Sequence, residues 1–527
     1  ISLESPKTGS DLVLETLRDL GIDTIFGYPG GAVLPFYDAI YNFKGIRHIL
    51  GRHEQGCLHE AEGYAKSTGK LGVAVVTSGP GATNAITGIA DAMSDSVPLL
   101  VFTGQVARAG IGKDAFQEAD IVGITMPITK YNYQVRETAD IPRIITEAVH
   151  IATTGRPGPV VIDLPKDVSA LETEFIYSPE VNLPSYQPTL EPNDMQIKKI
   201  LKQLSKAKKP VLLAGGGISY AEAAAELNEF AERYQIPVVT SLLGQGTIAT
   251  SHPLFLGMGG MHGSFAANIA MTEADFMISI GCRFDDRLTG NPKTFAKNAK
   301  VAHIDIDPAE IDKNKRADVP IVGDLKHVLS EINQAVEPQT HKEWVEKVIE
   351  WKKEYPLGHR KVGEDKLLPQ EVLQAIDDIL KGDAIIVTDV GQHQMWAAQY
   401  FTYQNPDSIV TSGGAGTMGF GLPAAIGAQI GAPDKKVVLI VGDGGFQMTV
   451  QELMMIKQYN LPVKVVILNN SYLGMVRQWQ ELFKDRRYSF VNLEVNPDFI
   501  KIADAYGIKN AKLTNKEDLR TKLKDLI

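Results

Sequence analysis

The sequence predicts an α/β protein built from three doubly wound domains with central parallel sheets. Three stretches carry that prediction, because each repeats one rhythm: an apolar strand, a glycine turn, a helix, then a strand opened by proline. The first is Gly72-Val-Ala-Val-Val-Thr-Ser-Gly-Pro-Gly81, a helix to about Ser94, then Val97-Pro-Leu-Leu-Val-Phe102. The second is Pro210-Val-Leu-Leu-Ala-Gly-Gly-Gly217, a helix, then Ile236-Pro-Val-Val-Thr240. The third is Val437 to Gly444, a helix from Gln447 to Tyr459, then Leu461-Pro462-Val463 to Leu468. Strands that are apolar throughout belong to parallel sheets covered on both faces. A helical crossover joins parallel neighbours.

The 527 residues allow about three domains. Two aperiodic stretches divide them. Residues 177–194 carry Pro179, Pro184, Pro188 and Pro192, and residues 337–369 are charged, with an amphipathic helix from Trp344 to Tyr355. The expected domains are 1–175, 190–335 and 365–527. After Leu513 the chain reads as a loop and an amphipathic helix with no closing strand, so a further C-terminal segment is expected. A net charge of −10 argues against a general nucleic-acid or membrane-surface binder. No apolar run is long enough to span a bilayer, and the first residues show no signal-peptide core. With only Cys57 and Cys282, a disulfide scaffold is not expected, and a reducing, cytoplasmic setting is.

The third segment carries the most chemistry. Gly442-Asp443-Gly444 ends one apolar run and Asn469-Asn470 ends the next. A strand–helix–strand unit brings both ends to one sheet edge. Asp443 and Asn470 then offer adjacent hard oxygens, which suit Mg²⁺. Gly444 and Gly445 let the backbone approach a phosphate, and the helix N-terminus favours its charge. The competing reading is an ordinary α/β turn with a capping Asp. The pattern resembles the thiamine-diphosphate motif.

That coenzyme needs an acid at its pyrimidine N1′, a diphosphate site and a bent conformation. Glu54, in Gly51-Arg-His-Glu-Gln-Gly56, follows the short apolar strand Ile46–Leu50 and opens a helix through Ala61 and Tyr64. A carboxyl group dehydrated there by a neighbouring subunit could share a proton with N1′. A helix-start Glu favoured by the macrodipole is the plainer alternative.

Taken together, Arg52-His-Glu-Gln-Gly56, Thr77-Ser-Gly-Pro-Gly-Ala-Thr-Asn84, Asp114-Ala-Phe-Gln-Glu118, Arg156-Pro-Gly-Pro159, Gly281-Cys-Arg-Phe-Asp-Asp-Arg287 and Asn469-Asn-Ser-Tyr-Leu-Gly-Met-Val-Arg-Gln-Trp-Gln480 resemble the catalytic large subunit of acetohydroxyacid synthase (acetolactate synthase). The similarity covers nearly the whole chain in the family's order. It implies a pyruvate-oxidase/decarboxylase-like thiamine-diphosphate fold. It also implies decarboxylation of pyruvate and transfer of the hydroxyethyl unit to a second pyruvate or to 2-ketobutyrate, in branched-chain amino-acid biosynthesis.

The resemblance assigns roles. Glu54 would be the N1′ partner, and Asp443, Asn470 and the Tyr472 carbonyl would hold Mg²⁺. Val390-Gly391-Gln392-His393, with Gly442, Gly444 and Gly445, would bind the diphosphate. Tyr28, Pro29, Gly30, Pro80, Asn84, Gly416, Gly474 and Met475 would complete the coenzyme site. Met418 would wedge under the bent coenzyme, as a large flexible apolar residue can. Gly31 and Gln117 would line the reaction centre. Trp479 and Met475 would shape the acceptor pocket, and the Arg287 guanidinium would receive the acceptor carboxylate.

The middle domain is expected to hold FAD. Gly215-Gly216-Gly217 could take a pyrophosphate, and Asp305 a ribose hydroxyl. Gly323-Asp324 ends another such strand. The resemblance adds Arg156, Thr240, Met261, His262, Gly281, Arg283 and Asp285, and Arg283-Phe-Asp-Asp-Arg287 matches the FAD-binding anabolic branch. FAD would act through geometry, without net redox change. A homodimer or a tetramer of dimers is implied, with a possible small regulatory subunit; neither a nucleic acid nor a membrane is.

Other motifs read as decoys. Gly414-x-Gly416-x-x-Gly419 imitates a dinucleotide fingerprint, but Met418 explains the same glycines. His53, Cys57 and His59 lack H-E-x-x-H spacing and read as helix-surface or active-site residues. Residues 63–70 fail the P-loop spacing, and Met454 and Met455 read as core. Pyruvate oxidase is the nearest rival, disfavoured by Arg283–Arg287 and Gln478-Trp479. A decarboxylase lacks its paired histidines here, a glyoxylate carboligase would lack the acid at 54, and an inactive scaffold is the non-enzymatic alternative.

Overall fold

The computed structural model describes residues 6–174, 180–335 and 338–527, so 1–5, 175–179 and 336–337 lie outside it, the last two overlapping the ends of the expected linkers 177–194 and 337–369. The chain forms two compact units. One comprises residues 1–187, 410–472 and 492–508; the other comprises 188–409, 473–491 and 509–527. Among the described residues, no helix is long and apolar enough to cross a membrane.

The first unit is organised by strands β1 (Thr24–Gly27), β2 (Arg47–Leu50), β3 (Gly72–Val76), β4 (Leu99–Gln105), β5 (Tyr131–Gln134) and β6 (Pro159–Pro165). They lie in the order β2-β1-β3-β4-β6-β5, all parallel. β1, β3, β4 and β6 are buried along their whole length, as their largely apolar runs favour, with Thr103, Gln105 and Asp163 the buried polar exceptions on β4 and β6. Strand order reverses between β1 and β3, and such switch points open a crevice at the strands' carboxyl ends.

Helix Glu54–Thr68 follows β2 and packs on helix Gly421–Gly431. Glycine makes this crossing possible. A Cβ at Gly63 would strike the Ala424 carbonyl, and one at Gly427 the Glu60 carbonyl.

The third sequence rhythm also belongs to this unit. Strands Val437–Gly442 and Lys464–Leu468 pair in parallel, with Gly442 opposite Leu468. The connecting helix departs from expectation. It begins at Asp443, runs to Met448, breaks at Thr449 and resumes through a 3₁₀ turn into Leu453–Gln458. Thr449 turns its hydroxyl onto the Gly419 carbonyl at 2.8 Å, a long-range bond that local propensity does not encode. Met455 is core, as expected, whereas Met454 is only half-buried.

The second unit carries β7 (Pro210–Ala214), β8 (Val238–Thr240), β9 (Phe255–Met258), β10 (Phe276–Ile280), β11 (Lys300–Asp305) and β12 (Val319–Val322). Their order is β9-β8-β7-β10-β11-β12, all parallel. This is the strand order of dinucleotide-binding sheets, with its switch point between β7 and β10. Leu212, Ile278, Phe230 and Tyr234 fill one face of the sheet. Val211, Leu213, Met277 and Trp344 fill the other, where the Trp344 indole donates to the Pro210 carbonyl at 2.9 Å.

Candidate active site

The first unit's switch point collects the acid and its neighbours. Tyr28-Pro29-Gly30-Gly31 leaves β1, and Thr77-Ser78-Gly79-Pro80 leaves β3 beside it. Any Cβ at Gly30 would collide with Thr77, whose hydroxyl accepts from the Ala32 N–H at 3.3 Å. Glu54 opens its helix after β2, and its Oε2 accepts from Asn84 Nδ2 at 3.0 Å. His53 caps the helix, Nδ1 accepting from the Gln55 N–H at 3.1 Å.

Gln117 lies against the same turn. It adopts φ +60°, a left-handed conformation that costs a non-glycine residue roughly 1–2 kcal/mol. A Cβ at Gly79 would come 2.7 Å from the Gln117 carbonyl. Glu54, Pro80, Asn84 and Gln117 thus meet in one place. Arg156 is engaged elsewhere, donating from Nε to Ser96 Oγ at 2.8 Å.

The paired strands of the same unit deliver the oxygen ligands. Because Gly442 lies opposite Leu468, Asp443 and Asn469-Asn470 leave the sheet at one edge. Asp443 is 1 % exposed, and burial holds its carboxyl group above the ordinary range. Among the described residues its oxygens take neutral donors: Asn496 Nδ2 at 2.6 Å and backbone N–H groups that include Gly444 and Ser471. Asn470 Oδ1 accepts from the Tyr472 N–H at 3.0 Å, which fixes the turn carrying the Tyr472 carbonyl. A buried carboxylate with amide donors alone fits a hard divalent cation, which would bring the missing positive charge. Met418 is half-buried between Gly416 and Gly419, both at positive φ. Asn496, in an aperiodic loop, was not foreseen; no motif marks it.

Of the two places expected for His59, the helix surface is excluded: it is fully buried, with Nδ1 bonded to Glu62 at 2.8 Å and its ring set edge-to-face with Phe420. Lys66 neutralises Asp95 beside it at 2.6 Å.

In the second unit, strand Ile385–Thr388 leads into Val390-Gly391-Gln392-His393. Gly391 takes φ 148° at the start of helix Gln392–Tyr400. His393 is 7 % exposed, its Nε2 has no partner among the described residues, and burial holds its pKa down at about 4. The N–H groups of this helix N-terminus fit an anion such as a phosphate, whereas the ring, whose proton goes to the Asp389 carbonyl, offers Nε2 as an acceptor for a donor. Gln392 donates to Gln478 at 2.8 Å.

Helix Gly474–Phe483 carries Met475 and Trp479. The Arg287 guanidinium lies 5.4 Å above the Trp479 ring, so the expected carboxylate receptor and the expected pocket wall are neighbours. His262 stands close enough to Arg287 that its pKa is lowered, by burial first and by that charge second. Met261 donates its N–H to the Arg287 carbonyl at 2.9 Å.

The glycine turn at this unit's switch point is tightly built. A Cβ at Gly215 would strike the Gly281 carbonyl, and Gly217 donates its N–H to that same carbonyl at 3.2 Å. Three carboxylates of the expected flavin site, Asp305 on the ribose side and Asp285 and Asp324 beside it, are in local use. Asp285 caps helix Asp286–Thr289, Asp324 caps Leu325–Gln334, and Asp305 accepts from the Asp307 N–H at 2.9 Å. Asn314 engages the Arg283 carbonyl. The Thr240 hydroxyl at the end of β8 is buried without a partner, which fits a polar ligand group at this edge.

Three family models match the chain: the thiamine pyrophosphate enzyme N-terminal TPP binding domain over residues 7–124, the central domain over 197–332, and the C-terminal TPP binding domain over 389–527. They define the class, a thiamine pyrophosphate enzyme. The chain is 59 % identical to the acetolactate synthase large subunit of Lactococcus lactis subsp. lactis, over 99 % of its own length and 91 % of the relative's. It is 49 % identical to the acetolactate synthase of Mycobacterium bovis, over 97 % and 84 %. It is also 49 % identical to the probable acetolactate synthase large subunit of Methanocaldococcus jannaschii, over 98 % and 90 %. The chain belongs to the acetolactate synthase large-subunit family.

Proposed function

We propose that this chain decarboxylates pyruvate and joins the remaining two-carbon unit to a second 2-keto acid. Pyruvate as acceptor gives 2-acetolactate, and 2-ketobutyrate gives 2-aceto-2-hydroxybutyrate, both precursors of branched-chain amino acids. The observation that supports the reading is the parallel register, Gly442 opposite Leu468, from which Asp443 and Asn470 leave the sheet at one edge. Thiamine diphosphate, when bound, supplies the electron sink for decarboxylation.

The chain's own residues do the rest. Asp443, Asn470 and the Tyr472 carbonyl would hold Mg²⁺, with Gly444 and Gly445 open to a phosphate, and in the second unit Gly391 and His393 would offer a phosphate site of their own. Glu54 holds a proton at the pyrimidine N1′, with Asn84 fixing its carboxylate. Gln117 lines the reaction centre, and Met418 supports the bend. Arg287 takes the acceptor carboxylate while Trp479 sizes the acceptor's alkyl group. FAD, bound by the middle domain through Gly215–Gly217, acts as a geometric support. Two copies form the working unit, Glu54 of one serving the coenzyme of the other, and a small regulatory subunit joins them. The domains run near 1–175, 190–335 and 365–527.

Mass analysis of products from pyruvate plus 2-ketobutyrate, with thiamine diphosphate, Mg²⁺ and FAD omitted in turn, tests this. Both five- and six-carbon acetohydroxy acids are expected without oxygen or an electron acceptor. Acetate with flavin bleaching would establish an oxidase instead, and acetaldehyde as main product a decarboxylase.

A further inference from the structure

Two buried carboxyl groups hold the helix that presents Glu54, and no role above uses them. Glu452 is fully buried, and both its oxygens lie 3.3 Å from the Arg52 backbone N–H. The His53 N–H also bonds to it. Gly56, in the helix's first turn, has room for no side chain, since a Cβ would strike Glu452 Oε1. Glu452 thus caps the turn from outside, where helix N–H groups lack partners of their own.

Glu60 lies on the same helix, also fully buried, and neither of its oxygens has a donor among the described residues. Burial first, and the Glu452 carboxylate beside it second, hold the Glu60 carboxyl group toward its protonated form. Carboxylate oxygens are all acceptors, so two such groups can bond only with a proton between them. Like charges this close and this dry do not both ionise.

One counter-charge among the described residues acts on the pair. The Arg52 guanidinium favours the ionised form of both groups while also donating to the carbonyls of Leu50 and Gly51 at 3.2 Å and to Gln458, so it balances one negative charge and not two. Other titratable neighbours are His53, whose N–H bonds Glu452, the Cys57 thiol, which burial and then Glu60 and Glu452 hold protonated, and Glu54.

We propose that Glu60 and Glu452 share one proton and, as a singly charged pair, clamp Arg52, His53 and the first helical turn, which makes them positioning residues for Glu54. The inference rests on the reading of Glu54 as the N1′ partner.

The test uses the full chain with its coenzyme, and Glu54→Gln as reference. Glu452→Leu removes the acceptors of the Arg52 and His53 amides. It should lower kcat about a hundredfold, toward the reference, with KM for pyruvate within about twofold. Glu60→Gln keeps a donor for Glu452 and keeps the single charge, so kcat should stay within about fivefold of wild type.

Infrared difference spectra give the readout that activity does not. At neutral pH the protonated carboxyl band of the wild type should lose one group in Glu60→Gln. Above the ordinary carboxylate range the folded wild type also retains a proton that the unfolded chain has already released. Its stability therefore falls as pH rises through that window, and Glu60→Gln should flatten the fall by one proton. An unchanged band and unchanged pH slope in Glu60→Gln overturns the shared proton. A kcat in Glu452→Leu equal to wild type overturns the positioning role. Should Glu452→Leu not fold, Glu452→Gln replaces it, and a wild-type kcat there together with an unchanged band in Glu60→Gln counts against the proposal. Wild-type turnover of the Glu54→Gln reference would instead remove the Glu54 reading, while the infrared and pH measurements still decide the pair.

Discussion

Two switch-point edges in this molecule use the same topological device to different ends. In the first unit, the crevice between β1 and β3 gathers reactive groups: Glu54, Asn84 and a Gln117 held at φ +60°. In the second, the crevice between β7 and β10 gathers glycines and capping carboxylates, with Gly215 and Gly217 pressed on Gly281 and Asp285 and Asp324 committed to helix ends. A parallel sheet offers every such edge to a ligand. What the edge can do depends on whether its polar groups remain free after the scaffold's own hydrogen bonds are made. At the first edge the Glu54 carboxylate takes a side-chain donor from Asn84 and caps no helix, whereas at the second the carboxylates of Asp285 and Asp324 are spent on backbone N–H groups.

The comparison breaks most visibly at Glu54. Glu54→Gln should lower turnover by about 10²–10⁴-fold while coenzyme and Mg²⁺ still bind. Steady-state kinetics beside a binding titration checks this, and wild-type turnover would erase the distinction between the edges. At the second edge, Gly215→Ala should act on stability instead. Overpacking against the Gly281 carbonyl should cost roughly 1–3 kcal/mol and loosen flavin. Denaturant unfolding and flavin absorbance after gel filtration measure both, and a loss of turnover with flavin retained would contradict the holding role.

Trp479→Leu sharpens the second unit's part in selectivity. One methylene is worth about 1–3 kcal/mol in an apolar pocket, so preference for 2-ketobutyrate over pyruvate should fall about tenfold or more. An unchanged product ratio in mixed-substrate assays removes the indole from that role.

The smallest effect concerns His393. Its folded pKa of about 4 lies below the ordinary 6.5, so the unfolded chain takes up a proton first as pH falls. Stability is fully present above pH 6.5 and drains toward pH 4, by at most about 3 kcal/mol from this group. His393→Gln should flatten that part of the pH–stability curve, and thiamine diphosphate should protect the wild type more than the variant.

The sequence disclosed those features that are local or periodic. The apolar runs at 72–76 and 437–442 became buried parallel strands because nothing polar interrupts them. Asp443 and Asn470 could be paired in advance because each closely follows such a run, and parallel register does the rest. Long-range bonds stayed hidden. Asn496 reaches Asp443 across 53 residues from a loop with no period. The helix break at Thr449 follows from its hydroxyl bond to Gly419, 30 residues back. The clamp of Glu452 on the Glu54 helix joins residues 400 apart, at Arg52.

The most direct test is a calorimetric titration of thiamine diphosphate into the coenzyme-free protein, with and without Mg²⁺, for wild type and Asp443→Ala. Mg²⁺-dependent binding by the wild type, weakened at least about tenfold in Asp443→Ala, is the predicted result. Equal affinity in the two proteins, or binding indifferent to the metal, would contradict the claim that the paired strand ends hold a metal–diphosphate.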